Sequence, residues 1–362
     1  MDRNNVQTLE ACEVTERSGI AVLPFASTMS EAWDRFVLGH PAGSMFHLTA
    51  WKNALEQTFS YESRYLYAQK DGRITGVAPV FLIRNWIIGR ALISVPMAVY
   101  GGICALDEPS VAALGAELQE MGTEEGVDFI DLRNRSGSLV PGFVSPKSIY
   151  VTFSTSLDPN HDVNLKRLPR DTRYMIRKGE KAGLEVRHGL EQLSQFYRLH
   201  AISLRRLGTP VFPKPLFQNL IAEFKGRADL MMVYAGSLPV SGVLSFFHRD
   251  TILPYYAGAA PEAGKLAANN FMYWQLMKFA VEKGFRKFDF GRSKLGTGSY
   301  AFKTQWNMQA ESLPYQLALI KRKSAPNFSP ANPKFQVAAR VWSHVPLPAT
   351  LIAGPRIVRW FP

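Results

Sequence analysis

Residues 230–259, LMMVYAGSLPVSGVLSFFHRDTILPYYAGA, decide how the rest of the chain is read. Leu230–Ala235 has the branched and aromatic make-up of a strand, Gly236-Ser237 is a tight turn, and Val240–His248 is a second strand. Arg249-Asp250 then turns the chain into Thr251–Ala259, a third strand. A helix is predicted from about Asn269 to Lys283. Gly284 closes it, because glycine adopts the left-handed helix-ending conformation without steric cost. Arg286–Phe290 completes the unit as a strand, and the helical crossover makes it parallel to the third.

The same order occurs earlier in the chain. Tyr61–Ala68 is a predicted strand, Gln69-Lys70-Asp71-Gly72 a turn, Arg73–Ile83 a second strand and Ala91–Pro96 a third extended run. Ser110–Glu125 carries Val111, Leu114, Leu118 and Met121 at helical spacing, Gly126 stops it, and Val127–Leu132 is strand-like. Ile74-Thr75-Gly76-Val77 matches Val240-Ser241-Gly242-Val243, and Gly126 with Asp131 corresponds to Gly284 with Asp289. A recurring order of this kind marks a duplicated structural unit. The expected fold class is α/β (α+β), with two tandem units, each a mixed, mostly antiparallel sheet flanked by helices. They are placed at residues 1–150 and 151–325, followed by a basic aromatic tail at 326–362.

Charge separates the two units. Residues 1–150 hold 12 basic and 17 acidic side chains, residues 151–325 hold 26 and 13, and the tail holds 4 and none, within a total net charge of +12. A basic second half points to an anionic partner, since excess charge of that size exceeds what solubility requires. Cys12 and Cys104 are the only cysteines, with no paired-ligand spacing, so a disulfide framework and a zinc site are both disfavoured. The polar start Met1-Asp2-Arg3-Asn4-Asn5 does not read as a secretory signal, and no apolar run reaches the length of a spanning helix. The expected location is the cytoplasm. No GxSxG, HExxH or Walker loop occurs, and the seven histidines show no ligand spacing. The chemistry is therefore expected to need no metal.

Six stretches are candidates for the site. Pro169 to Gly183 is a predicted helix on which Arg170, Arg173, Arg177 and Lys181 share one stripe, with Lys178 beside it. Seven cations between Lys166 and Lys181 face only Asp171 and Glu180, which fits phosphate binding as well as a solvated face. Arg205-Arg206 opens a Gly- and Pro-rich loop and is able either to reach a cleft or to pair at an interface. Ala267-Ala268-Asn269-Asn270 starts the second helix, where free backbone N–H groups suit an anion and an asparagine suits a cap. In Phe288-Asp289-Phe290-Gly291-Arg292-Ser293 the phenylalanines are expected in the core and Asp289 on the other side, positioned to orient an amine or to pair with Arg292. Beyond it Tyr300, Lys303 and the anchors Phe302 and Trp306 follow a glycine-containing loop, with Lys303 suited to steadying an oxyanion. In the first half, Tyr100-Gly101-Gly102 allows close backbone approach, to a ligand or simply in a turn.

Taken in order, Ser94-Val95-Pro96 with Tyr100-Gly101-Gly102, Arg173-x-x-Ile176-Arg177-Lys178, Arg206-Leu207-Gly208-Thr209-Pro210, Asn270 with Tyr273-Trp274, Phe288 to Ser293, and Phe302-Lys303-x-Gln305-Trp306 resemble the FemAB-like proteins of the GNAT superfamily. Within that group they resemble those found with exopolysaccharide and PEP-CTERM/exosortase gene clusters. The resemblance spans about residues 46–320, and Asn307 stands where the subgroup typically has glycine. It implies tandem GNAT-like domains and an N-acyltransferase taking its group from acyl-CoA or aminoacyl-tRNA. The acceptor implied is an amine on a cell-envelope, peptidoglycan or exopolysaccharide precursor.

Catalytic roles fall on Lys303, Asp289 and Tyr300. Substrate contacts fall on Arg173, Arg177, Lys178, Arg205, Arg206, Tyr100, Gly101, Asn270, Tyr273, Trp274, Arg292, Ser293 and Phe302. The expected partners are a phosphate-bearing precursor, nucleotide-sugar or polyprenyl-linked, and transfer RNA, although no long heptad run provides the coiled-coil arm of transfer-RNA-using relatives. Peripheral contact with the inner membrane through the tail and a monomeric state complete the expectation. The rival reading is a non-catalytic scaffold on the same fold.

Overall fold

The computed structural model describes residues 19–136, 139–146, 148–324 and 333–362. Met1–Asn5 and Cys12 lie outside the described residues. Strand β1 (Ala21–Pro24) leads into helices α1 (Ser30–Gly39) and α2 (Thr49–Phe59) and the short β2 (Glu62–Ser63). Next come β3 (Leu66–Lys70), β4 (Arg73–Ala78), β5 (Val80–Asn85), β6 (Gly89–Ser94) and β7 (Cys104–Ala105). Helix α3 (Glu108–Glu124) begins with the Asp107 carboxylate accepting from the Ser110 N–H at 2.8 Å, and ends at Gly126 with φ of +59°. It returns the chain to β8 (Phe129–Leu132), parallel to β6.

The segment expected as one strand, Arg73–Ile83, is two. Pro79 has no N–H to give to a ladder, so the strand breaks there. β4 pairs with β3 and β7 in one sheet, and β5 pairs with β6 and β2 in another.

The second half contains β9 (Tyr150–Ser156), α4 (His161–Arg167), α5 (Arg170–Lys181), β10 (Leu184–His188), α6 (Leu193–Arg206) and α7 (Lys214–Glu223). The unit read from sequence follows as β11 (Ala228–Ala235), β12 (Leu238–His248), β13 (Thr251–Ala259), α8 (Ala268–Glu282) and β14 (Lys287–Lys294). Here the sheet is continuous, seven strands in the order β10-β11-β12-β13-β14-β9-β15, where β15 is Ala310–Ser312. α9 (Gly298–Thr304) precedes β15, and β16 (Gln316–Leu319) crosses to the first half to pair antiparallel with β8. Two helices, α10 (Pro333–His344) and α11 (Leu347–Val358), finish the chain.

The repeated glycines have the same cause in both halves. A Cβ on Gly76 would lie 2.8 Å from the Ala105 side chain, and one on Gly242 would strike the Met232 sulfur. Only hydrogen fits at either position. The apolar core runs between the halves: Phe46, Trp51 and Phe81 pack in one cluster with Phe224, Phe246 and Tyr255. Glu223 of α7 accepts from Asn53 and Gln57 of α2 at 3.1 and 2.8 Å. Cys104 is a buried free thiol. No helix of the described residues is long and apolar enough to cross a membrane.

Candidate functional site

The site follows from an imperfection in the larger sheet. β13 and β14 run parallel, yet they pair only at Thr251 with Lys287 and Ile252 with Phe288. Beyond that point each strand carries a bulge. Ser245 faces Pro254 and Leu244 faces Tyr256, which leaves Tyr255 as the extra residue on β13. Asp289 faces Ser154 and Gly291 faces Phe153, which makes Phe290 the extra residue on β14. Bulges bend strands and redirect side chains. Gly291, at φ of +71°, provides the left-handed turn that the second bulge needs. A cleft of about 810 Å³ opens there, lined by Tyr255, Phe290, Gly291, Arg292, Lys303 and Tyr273 of the second half. The first half closes it with Met97, Ala98, Val99, Asp131 and Arg133, and Phe361 and Pro362 also line it.

Lys303 is the reactive-looking cation of this cleft. Its ammonium donates to the carbonyl oxygens of Gly291 and Arg292, both at 3.0 Å, which the bulged strand presents to α9. Burial lowers its pKa to about 8, with the Asp289 charge opposing that shift and Arg292 reinforcing it. It remains mainly charged at neutral pH. Tyr273 belongs to an aromatic cluster with Phe290 at 4.7 Å, Phe302 at 5.6 Å and Trp306 at 6.1 Å between ring centres. This cluster anchors α9 and therefore Lys303. Asn307, just past it, takes φ of +55°, a conformation in which asparagine is among the tolerated side chains.

Asp289 does not pair with Arg292. Its carboxylate accepts from Arg135 at 2.5 Å, from the Gly291 N–H at 2.8 Å and from the Tyr100 hydroxyl at 3.2 Å. Arg135 also lies over the Tyr100 ring at 4.7 Å. Asp289 is thus a buried brace tying the β14 bulge to the first half. Tyr100 is buried and hydrogen-bonded to Thr152 as well. Gly101 and Gly102 are close approaches within the protein: Val95 fills the space of one Cβ and Asn134 that of the other. Neither lines the cleft.

The other candidates are distributed as follows. Arg292 lines the cleft, whereas Tyr300 packs on Phe153 outside it, and Trp274 and Ser293 are buried beside it. On α5, Arg173 bonds to the carbonyls of Lys166 and Leu168 at 3.2 and 2.6 Å. Arg177, Lys178, Arg170 and Lys181 face solvent, and none of the stripe lines the cleft. Arg205 donates to the Val345 carbonyl at 3.2 Å, and Arg206 is exposed. The turn that leads into α8 is closed on itself. The amides of Lys265, Leu266 and Ala267 donate to the carbonyls of Glu262 and Gly264, and Gly179 of α5 seats against Phe271 and the Ala267 carbonyl. Asn270 caps nothing there, and its buried amide nitrogen has no partner among the described residues.

Several lining groups were not read from sequence: Asp131, Arg133, Tyr150, His200, Tyr255 and Tyr315. Only Asp131, as the counterpart of Asp289, carried a signal. Arg133 pairs with Asp131 at 3.2 Å and donates to the Ala98 carbonyl at 3.1 Å and to Pro362 at 2.9 Å. Among the described residues, no group of three or more His, Cys, Asp or Glu side chains is placed to hold a metal ion.

Residues 166–304 match the family model described as Acetyltransferase (GNAT) domain. No curated protein sequence matches the chain. Among solved structures, FemX is 18% identical, superposes with a TM-score of 0.64, and the match covers 83% of this chain and 97% of that one. The C-terminal domain (DUF2156) of a putative lysylphosphatidylglycerol synthetase from Agrobacterium fabrum is 10% identical, with a TM-score of 0.53 and coverage of 91% and 96%. A tandem GNAT protein from the clavulanic acid biosynthesis pathway is 9% identical, with a TM-score of 0.53 and coverage of 84% and 100%. Residues 166–304 thus match a GNAT acetyltransferase domain, and the chain's fold is similar to those of FemX and of a tandem GNAT protein.

Proposed function

We propose that this protein is a FemAB-like N-acyltransferase, moving an acyl or aminoacyl group from an activated donor to an amine on a cell-envelope or exopolysaccharide precursor. One observation carries the reading: Lys303, with two ammonium hydrogens held by the Gly291 and Arg292 carbonyls, stands in a cleft between bulged, diverging strands. A cation fixed in that way is preorganised for the negative charge that develops on a carbonyl oxygen under attack. The amine nitrogen forms the new C–N bond, the C–O or C–S bond to the carrier breaks, and the proton lost by nitrogen leaves with the carrier's oxygen or sulfur. The donor is already activated, so alignment supplies most of what the reaction needs.

The donor belongs to one of two classes, acyl-CoA or aminoacyl-tRNA, and both carry phosphate. The solvent-facing cations of α5 fit contact with a phosphate-bearing carrier. The protein is read as a cytoplasmic monomer, in peripheral contact with the inner membrane through the surface around Trp86, Ile352 and Arg356, all exposed.

The test has two arms. Mass spectrometry of wall and exopolysaccharide precursors from cells with and without the gene should show one acyl or aminoacyl group lost. With the donor so identified, Lys303→Ala should lower turnover by more than about 100-fold while circular dichroism stays unchanged. Undiminished turnover removes Lys303 from the reaction.

A further inference from the structure

The transfer reading leaves one charge in the cleft unexplained. Arg292 follows the Gly291 turn on β14, and its guanidinium lies over the Tyr150 ring at 4.5 Å from the ring centre. Nη1 donates to the Tyr315 hydroxyl at 3.3 Å. That hydroxyl donates onward to the Val99 carbonyl at 2.5 Å, and the neighbouring Tyr255 hydroxyl donates to the Met97 carbonyl at 2.8 Å. Burial raises the pKa of both phenols, so neither supplies a negative charge. Among the described residues, no carboxylate lies within ion-pair distance of Arg292, and no group accepts from Nε or Nη2.

The other two cations of the cleft are differently placed. Arg133 has Asp131, and Lys303 has two carbonyls. Arg292 is half-buried at the cleft wall, and a guanidinium drawn partly out of water without a counter-charge is costly. Arg292 therefore has the electrostatic character of a pair whose second member arrives from outside. The Nε/Nη2 edge is a planar fork of two parallel donors, and its geometry matches the two oxygens of a carboxylate. The wall beside it is flat and aromatic.

We propose that Arg292 is the receptor for a carboxylate carried by the molecule that enters the cleft. Its ligand is then an amino-acid- or peptide-like acid, whose carboxylate is held by the side chain of the residue whose own carbonyl, with that of Gly291, holds Lys303. This rests on the cleft being the substrate cleft, and it does not require that a group be transferred.

Thermal unfolding of the full chain with benzoate, benzamide or inorganic phosphate tests it. Benzoate should raise the Tm in a saturable way, while the neutral isostere benzamide and phosphate should not. Arg292→Met should abolish the benzoate shift, and Arg292→Lys, which keeps the charge and loses the fork, should weaken the apparent affinity at least about tenfold. Lys303→Met should retain the shift, so a failure of the transfer reading at Lys303 is distinguishable from a failure here. The proposal is overturned if benzamide matches benzoate, if phosphate competes for the site, or if Arg292→Met keeps the shift. Should Arg292→Met not fold, the comparison of benzoate with benzamide on the native chain and on Arg292→Lys still decides.

Discussion

At the scale of single residues, the cleft depends on two charges that never meet in sequence. Asp289 is almost fully buried and takes three hydrogen bonds, one of them from Arg135 on the first half. Removing one partner of a buried pair leaves the other uncompensated. Asp289→Ala should therefore cost on the order of 3 kcal/mol, read as a lower midpoint in denaturant. Asp289→Asn keeps the volume and removes the charge. That charge favours the protonated form of Lys303, so its loss should move the Lys303 titration from about 8 to lower pH. A titration of ¹³C-labelled lysine side chains reads this without any substrate, and an unmoved Lys303 resonance would contradict the coupling. The lysine itself was legible in Phe302-Lys303-x-Gln305-Trp306, while the partner of Asp289 was not. Alternation of Phe288, Asp289 and Phe290 predicts which side Asp289 faces, but nothing local predicts that Arg135 waits on that side.

At the scale of elements, α6 lies directly on the sheet. A Cβ on Gly258 of β13 would come within 2.5 Å of the His200 amide nitrogen and 2.6 Å of its Cα. Backbone cannot move aside as a flexible side chain does, so Gly258→Ala should destabilise by about 1–3 kcal/mol or more through overpacking. Thermal melts would show it, and an unchanged Tm would mean that α6 is not seated as described. Strand and helix order along 228–294 was readable because alternation and helical spacing are local properties. The break at Pro79 was equally local and was passed over, because the apolar run continues on both sides of it. The bulges at Tyr255 and Phe290 were not readable. A bulge is a mismatch between two strands, and one strand alone does not contain it.

At the scale of the whole molecule, buried neutral histidines in both halves tie stability to pH. His47 donates from Nε2 to the Gly102 carbonyl at 3.0 Å, and its Nδ1 accepts from the Ser44 amide at 3.2 Å. Burial holds His47, His200 and His248 down at about 4. In the unfolded chain these rings titrate near their ordinary value of 6.5. Between those two values the unfolded state binds more protons, so stability is complete above 6.5 and is lost as the pH falls towards 4. The loss is on the order of 3 kcal/mol per histidine at most. Denaturant midpoints measured from pH 7 to 4 should fall steeply, and His47→Gln should flatten that slope; a pH-independent midpoint would mean these rings are already charged.

The C-terminal helices belong to the same level. They pack on α6, and Tyr61, Asn85 and Phe59 of the first half bond to Arg359 and Trp360, so the tail is part of the folded body. Periodicity, turn residues and charge balance by themselves determined the duplicated strand–helix order, the basic second half and the lysine of the Phe-Lys segment, because each is read from the residues along the chain without knowing which segments meet. Only the tertiary structure decided where β13 and β14 part, that Asp289 belongs to Arg135, that the α5 cations face solvent away from the cleft, and that Arg292 stands there without a counter-charge. Those are relations between segments dozens to more than a hundred residues apart, or between a charge and its surroundings, and they exist only once the chain has packed.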